Sequence, residues 1–156
     1  MNEPTWLPVP GFRGDYDVSD QGEVRSHKRG RTRLLKAALN PQGYLVVYLY
    51  LDAVLYRRPV HSLVALTFHG PRPECWQTRH LDGNPLNNSA ENLAYGTRSE
   101  NVQDCLRHGT HYQASKTHCK WGHPFDEVNT RFVQGRRVCR ECARRNLRAS
   151  RARRAG

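Results

Sequence analysis

Apolar positions recur along this chain with two periods, and the switches between them outline its elements. Val18 and Val24 flank Ser19-Asp20-Gln21-Gly22, whose aspartate and glycine favour a tight turn between two short strands. After a turn at Asn40-Pro41-Gln42-Gly43, the run Tyr44-Leu45-Val46-Val47-Tyr48-Leu49-Tyr50-Leu51 is rich in β-branched and aromatic residues and reads as a strand. A turn near Asp52-Ala53 returns it through a second strand, Val54 to Arg57. The period then lengthens. Val60, Leu63, Val64 and Phe68 recur at helical spacing between Pro59, suited to a helix start, and Gly70-Pro71, suited to its end. Two further strands should flank the loop from Leu81 to Ser89, which is dense in turn-tolerant residues. Thr97-Arg98-Ser99-Glu100 fits a capping box, so a helix begins near Arg98, with Val102, Cys105 and Leu106 as its apolar stripe and Gly109 as its stop. Asn101, one turn before Cys105, should lie at the edge of that stripe and point back toward the strands. Trp6, Phe12 and Tyr16 are expected to form a small core.

Charge changes the picture. The chain of 156 residues carries a net charge of +11, unevenly: residues 1–115 hold 13 Lys+Arg against 11 Asp+Glu, and residues 116–156 hold 12 against 3. There is no long apolar run for a membrane span and no signal peptide after Met1-Asn2-Glu3, so the simplest reading is a cytoplasmic protein that meets a polyanion. The basic run His27-Lys28-Arg29-Gly30-Arg31-Thr32-Arg33 is a candidate backbone-phosphate loop through Lys28, Arg29, Arg31 and Arg33.

Five cysteines, an odd count without secretory features, argue for reduced thiols or metal rather than disulfides. Cys119, His123, Cys139 and Cys142 give C-x3-H-x15-C-x2-C, two close pairs that can close a tetrahedron around Zn2+. Four protein ligands leave no open position, which makes this zinc structural. Gly122 should bend the first pair and Gly135 should turn a hairpin between Phe132-Val133 and Arg137-Val138. A segment of 24 residues has little apolar surface, so the metal would supply most of its stability. Cys105 reads as helix core, and Cys75 carries no functional assignment. Residues 110–118 read as a polar linker. Residues 143–156 are arginine-rich and free of acid, and should order on phosphates through Arg144, Arg145, Arg148 and Arg151.

The spacing of His80, Asn92 and Asn101, with Asn87-Asn88 and the run Glu91-Asn92-Leu93, resembles the HNH endonucleases of phage and intron homing type whose last motif position is Asn. The opening run of Trp6, Pro10-Gly11-Phe12 and Tyr16-Asp17-Val18-Ser19 through Gly22, Val24 and Ser26 is similar to the nuclease-associated module of such enzymes. So is Val60-His61-Ser62-Leu63-Val64-Ala65 with Phe68, except that Ser62 stands where a basic residue is usual. The Cys/His segment resembles small modules at the C-termini of phage HNH proteins.

The resemblance implies a ββα-metal site in which His80 is the general base, Asn92 holds the loop and orients His80, and Asn101 binds a catalytic Mg2+ or Mn2+ ion. Neutral imidazole suits proton abstraction from water near pH 7. Many relatives carry an acidic metal ligand where this chain has Arg79, a residue type suited to contacting the phosphate instead. His61 reads as packing support. The expectation is therefore an α+β protein: a β-rich DNA-contacting module at 1–58, an HNH ββα-metal core at 59–109, a linker at 110–118, a zinc module at 119–142 and a basic tail at 143–156. It would nick double-stranded DNA, leaving 5′-phosphate and 3′-hydroxyl ends, in the host cytoplasm if phage-encoded, with no membrane and no protein partner implied. The alternative is a DNA-binding protein of HNH fold with weak or no cleavage.

Overall fold

The computed structural model describes residues 3–155. The chain divides between His108 and Gly109 into two compact units.

In the first unit, β1 (Trp6–Pro8), β2 (Tyr16–Ser19), β3 (Val24–Ser26) and β4 (Arg33–Leu34) form an antiparallel sheet in that order. Val18 faces Val24 across the expected turn. A second antiparallel sheet joins β5 (Ala38–Leu39), β6 (Leu45–Leu51) and β7 (Val54–Pro59). Alternation along β6 turns Val47 and Leu49 inward and leaves Tyr48 and Tyr50 exposed, as a sheet with one wet face requires. α1 (Val60–His69) follows β7 without a loop, between Pro59 and Gly70. β8 (Gln77–His80) and β9 (Leu93–Gly96) pair antiparallel, and α2 (Arg98–Arg107) starts from a capping box closed by Thr97 and Glu100.

One hydrophobic core serves the whole unit. Val9, Phe12, Tyr16, Val18 and Val24 meet Val47 and Leu49 from the second sheet, Leu63 and Val64 from α1, and Ala90 and Leu93 beside the β8–β9 hairpin. Residues on both sides of position 58 share this core. The small aromatic cluster is Phe12, Tyr16 and Tyr56, with edge-on rings at 5.6 and 5.9 Å. Trp6 stays outside it and is covered by the Arg25 guanidinium at 4.2 Å.

The inner face of α2 differs from its sequence pattern. Val102 and Leu106 are exposed and Cys105 is only half-buried, whereas Asp104 is buried at 4% exposure. The reason is that α2 meets β8 through ions: Arg79 Nε donates to Asp104 Oδ2 (2.8 Å) and Arg79 Nη1 lies 3.3 Å from Glu100 Oε1. A Cβ at Gly96 would overlap the Arg79 side chain, so the glycine leaves room for this pairing.

The second unit contains α3 (Tyr112–Ser115), β10 (Thr130–Val133), β11 (Arg136–Cys139) and α4 (Arg140–Ala155). Within the stretch expected as a polar linker, residues 110–118, lies α3, and Arg137 donates to the carbonyls of Gln113 and Lys116. Cys139 is the one buried residue among those described in this unit, while Val128 and Phe132 are 82% and 72% exposed. Apolar burial does not hold these 48 residues together.

Candidate active site and metal centre

His80 ends β8, opposite Leu93. Asn88 is buried at 3% exposure, and its Nδ2 donates to the Leu86 carbonyl, which fixes the amide orientation. Its Oδ1 then faces His80 Nε2 at 3.2 Å and can only accept, so Nε2 carries the proton. In the neutral ring this leaves the Nδ1 lone pair as the basic site.

Asn92 holds the loop without touching the imidazole. It accepts from the Asp82 amide (3.0 Å) and donates to Asp82 Oδ1 (2.9 Å) and the Asn87 carbonyl (2.8 Å). Asp82 also accepts from the Asn84 amide and the Asn87 side chain. Burial raises the Asp82 carboxyl, but the N–H donors of Asn84, Asn87 and Asn92 together outweigh it and hold the group below its usual value. Asn92 thus bonds within the loop, and the side chain that meets the His80 ring is Asn88.

The loop is also braced from outside. The Ala90 amide donates to the Asp20 carbonyl (2.7 Å), and His69 Nε2 donates to the Ala90 carbonyl (2.9 Å). Gly22, in the β2–β3 turn at φ +90°, lies so close that a Cβ there would stand 2.9 Å from Asn88 Cβ. The N-terminal hairpin therefore abuts the residue that sets the His80 ring.

Two residues that sequence reasoning left out of the site complete it. The His61 ring stands edge-on to His80 at 5.3 Å, and Tyr44 stacks on His80 at 6.1 Å and meets His61 at 4.9 Å. Burial, with His80 beside it, pushes His61 down to about 4, so it is neutral at pH 7. His61 Nδ1 is buried without a hydrogen-bond partner. No spacing rule relates positions 44, 61 and 80; tertiary packing makes the cluster.

Asn101 is in the first turn of α2, and its Nδ2 donates to Gln77 Oε1 (2.8 Å). Gln77 and Arg79 share one face of β8, and His80 takes the other. His80 and Asn101 thus meet different neighbours on opposite faces of one strand, and no hydrogen bond joins them.

This arrangement bears on the expected Mg2+ or Mn2+. Such ions take oxygen ligands, commonly one or two carboxylates plus substrate phosphate. The carboxylates beside Asn101, Glu100 and Asp104, are paired with Arg79, whose side chain is 14% exposed. Arg79 therefore ties strand to helix instead of standing free for a phosphate. Asn101 Oδ1 remains as a neutral donor, and this set does not fit a resident hard cation. Among the expected DNA contacts of the N-terminal loop, Lys28 is paired with Asp15 (3.1 Å), whereas Arg29, Arg31 and Arg33 are exposed.

The second unit does fit a metal. Cys119, His123, Cys139 and Cys142 place their ligand atoms within 4.8 Å of one another, the one such group among the described residues. His123 Nδ1 lies 3.5, 3.6 and 3.4 Å from the three sulfurs, and Cys119 Sγ lies 3.6 Å from Cys142 Sγ. A tetrahedron with Zn–S of about 2.3 Å has edges near 3.8 Å, so the cluster has the size of a Zn2+ site. The Trp121 and Cys142 amides point at Cys119 and Cys139 sulfurs, both at 3.4 Å. Burial pushes the Cys139 thiol up, but N–H donors from Cys142 and Asn129 outweigh it and bring it to about 6. Burial and the neighbouring sulfurs push Cys142 up to about 11. Three sulfurs this close cannot all ionise without a cation among them. Asn129, unremarked in the sequence, joins this cluster to α4: its Nδ2 donates to Cys139 Sγ (3.3 Å) and its Oδ1 accepts from the Glu141 amide (3.0 Å).

A histidine ending the first strand of a hairpin, an asparagine-rich loop and a capped helix after the second strand outline an HNH nuclease site. Residues 58–103 match the HNH endonuclease family model, and residues 5–50 match the NUMOD4 motif. Neither match reaches the Cys/His cluster.

The chain is homologous to the HNH homing endonuclease I-HmuI, a DNA endonuclease of Bacillus phage SP01: 36% identical over 105 residues, 67% of this chain and 59% of that protein. An uncharacterized HNH endonuclease, L247 of Acanthamoeba polyphaga mimivirus, is 40% identical over 103 residues, 64% of this chain and 25% of that protein. The solved structure of DNA binding and cleavage by I-HmuI superposes with a TM-score of 0.61 at 36% identity, covering 68% of this chain and 60% of that one. The chain thus spans well under two thirds of the mimivirus protein and about three fifths of I-HmuI.

Proposed function

We propose that this chain is a DNA endonuclease that hydrolyses one phosphodiester strand at a time. His80 Nδ1 takes a proton from a water, which attacks the phosphorus in line and leaves 5′-phosphate and 3′-hydroxyl ends. Asn88 holds His80 in the Nε2–H tautomer, and Asn92 keeps the loop closed over Asp82. The observation that carries this reading is the contact between His80 Nε2 and the buried, oriented Asn88 Oδ1. Homology to I-HmuI, a DNA endonuclease, supports double-stranded DNA as the substrate.

In the same reading residues 1–58 contact DNA through Arg29, Arg31 and Arg33, residues 59–109 cut, and residues 119–142 form a structural Zn2+ module. A protein acting on phage or host DNA works in the host cytoplasm; no helix among the described residues is long and apolar enough to cross a membrane.

The test is nicking of supercoiled plasmid with Mg2+, with Mn2+ and without added divalent ion, wild type beside His80→Ala. Relaxed product that vanishes in His80→Ala is expected. Equal activity of the two proteins, or no product under any condition, ends the proposal. A second reading, a DNA-binding protein that cuts weakly or not at all, is favoured by the ion-paired Arg79 in the place of an acidic ligand. Retained duplex binding without nicking would select it.

A further inference from the structure

The Cys/His unit has no task in the proposed cleavage, yet its charge is organised. α4 carries arginine at positions 140, 144, 145, 148, 151, 153 and 154. At about 100° per residue, Arg140, Arg144, Arg148, Arg151 and Arg154 fall within an arc of about 120°, and Arg145 and Arg153 fall outside it. Arg145 is otherwise engaged, stacked over Trp121 at 4.1 Å. Solubility requires charge but not phasing.

The stripe opens at its N-terminal end into a groove of about 680 Å³ lined by Arg131, Arg140, Ala143, Arg144 and Leu147. Arg140, which lines the groove, is anchored through Nε to the Thr130 carbonyl (3.2 Å). Arg144 meets Glu141, the sole acid of α4, at 3.3 Å and largely exposed, a contact easily exchanged in water. Arg148, Arg151 and Arg154 are exposed. From Arg140 to Arg154 the stripe runs about 21 Å at about 1.5 Å per residue. Like charges at i, i+3 and i+4 destabilise a helix, so a line of anions against this face would relieve strain that α4 carries alone.

We propose that this arginine stripe, continued by Arg131, is a sequence-independent docking surface for the phosphate backbone of duplex DNA, displayed by a metal-closed unit outside the residues assigned to cleavage. The choice of duplex DNA rests on the nuclease reading; the stripe itself rests on the phasing. Arg145, expected from sequence as a DNA contact, is reassigned to packing on Trp121. The complementarity is one of charge, since duplex DNA presents one negative charge per about 1.7 Å of axis and each neutralised phosphate adds about 0.9 to the salt slope of binding.

The experiment measures binding of the whole 156-residue chain, zinc-loaded, to a fluorescent duplex of arbitrary sequence across a salt series, without added Mg2+. Two charge-matched double variants are compared: Arg148→Gln with Arg151→Gln on the stripe, and Lys120→Gln with Arg153→Gln off it. The stripe pair should lower the slope of log K against log salt by about 2, and the control pair by less than half of that. Equal losses in the two pairs overturn the stripe, and tighter binding to a hairpin RNA than to the duplex overturns the choice of DNA. Zinc content and far-UV circular dichroism check that both pairs fold. If the stripe pair loses metal, the single Arg151→Gln decides, with an expected slope change of about 0.9 and none refuting the proposal. His80→Ala separates this from the nuclease reading: it should lose plasmid nicking and keep the wild-type salt slope, whereas the stripe pair is read by the slope alone. A stripe-dependent slope in a protein that never nicks would leave the docking surface standing and sink the nuclease alone.

Discussion

Replacing Gly22 by alanine tests whether the N-terminal hairpin holds His80, the proposed general base. The substitution carries two separable costs. At φ +90° an alanine costs about 1–2 kcal/mol in backbone strain, offset by about 0.4–1 kcal/mol from the stiffer unfolded chain. Its Cβ would also stand 2.9 Å from Asn88 Cβ, a separation that real Cβ atoms essentially never show, and 3.1 Å from the Asn88 carbonyl oxygen. Overpacking of this kind adds about 1–3 kcal/mol. Gly14 supplies the control, since it sits at φ +79° and a methyl added there would have nothing within 4 Å. Gly14→Ala should therefore lose about 1 kcal/mol and Gly22→Ala about 2–4 kcal/mol, read as shifts of the urea midpoint of the first unit at constant slope. Relief of the clash moves Asn88, whose Oδ1 holds His80 Nε2 at 3.2 Å. Oriented general-base catalysis is worth roughly 100-fold or more, so nicking by folded Gly22→Ala should fall at least ten-fold while Gly14→Ala stays within two-fold. Equal destabilisation of the two variants, or full turnover in Gly22→Ala, would refute the reasoning.

Other outcomes follow from the same geometry. Arg79→Ala strands the buried Asp104 carboxylate with only the exposed Arg107 beside it, and should cost about 3 kcal/mol in urea unfolding; Arg79→Asp, which would supply the missing acid, should be less stable still and no more active. His61 is held near 4 in the fold against 6.5 in the unfolded chain, so the unfolded state binds its proton first as pH falls. Stability is then full above about pH 6.5 and declines by up to about 3 kcal/mol toward pH 4, and urea midpoints of wild type should fall across that window while those of His61→Phe stay flatter. Chelating zinc, or Cys139→Ser, should abolish the far-UV signal of the second unit and leave a cooperative transition for the first; one shared transition would contradict the division at His108. Asn129→Ala should lower zinc affinity at least ten-fold, measured by competition with a chromogenic chelator.

What the sequence made legible was whatever depends on local pattern. The Val18/Val24 turn, the β6–β7 hairpin, α1 between Pro59 and Gly70 and the capping box at Thr97 are short-range devices, and the four residues of the candidate metal cluster stand out by spacing. Pattern failed where a polar pair replaced an apolar contact: Val102 and Leu106 have helical spacing, yet the Arg79–Asp104 pair turns the other face of α2 inward. It failed again where distant segments meet. Nothing in Asn88 separates it from the neighbouring turn asparagines until Gly22 and the Ala90–Asp20 contact enclose it. The neighbours that His61 packs against, Tyr44 and His80, are brought to it only by the fold.

The brace between the β2–β3 turn and the loop before β9 limits how such enzymes can be cut and recombined. The stretches that match two separate family models, residues 5–50 and 58–103, are not independent cassettes, because Asp20 and Gly22 of the first brace Ala90 and Asn88 of the second, beside His80. A minimal nuclease trimmed to the second stretch would keep every motif residue and lose the geometry that gives them meaning. Grafting onto a foreign N-terminus would succeed only if the graft arrives with its own glycine at that brace.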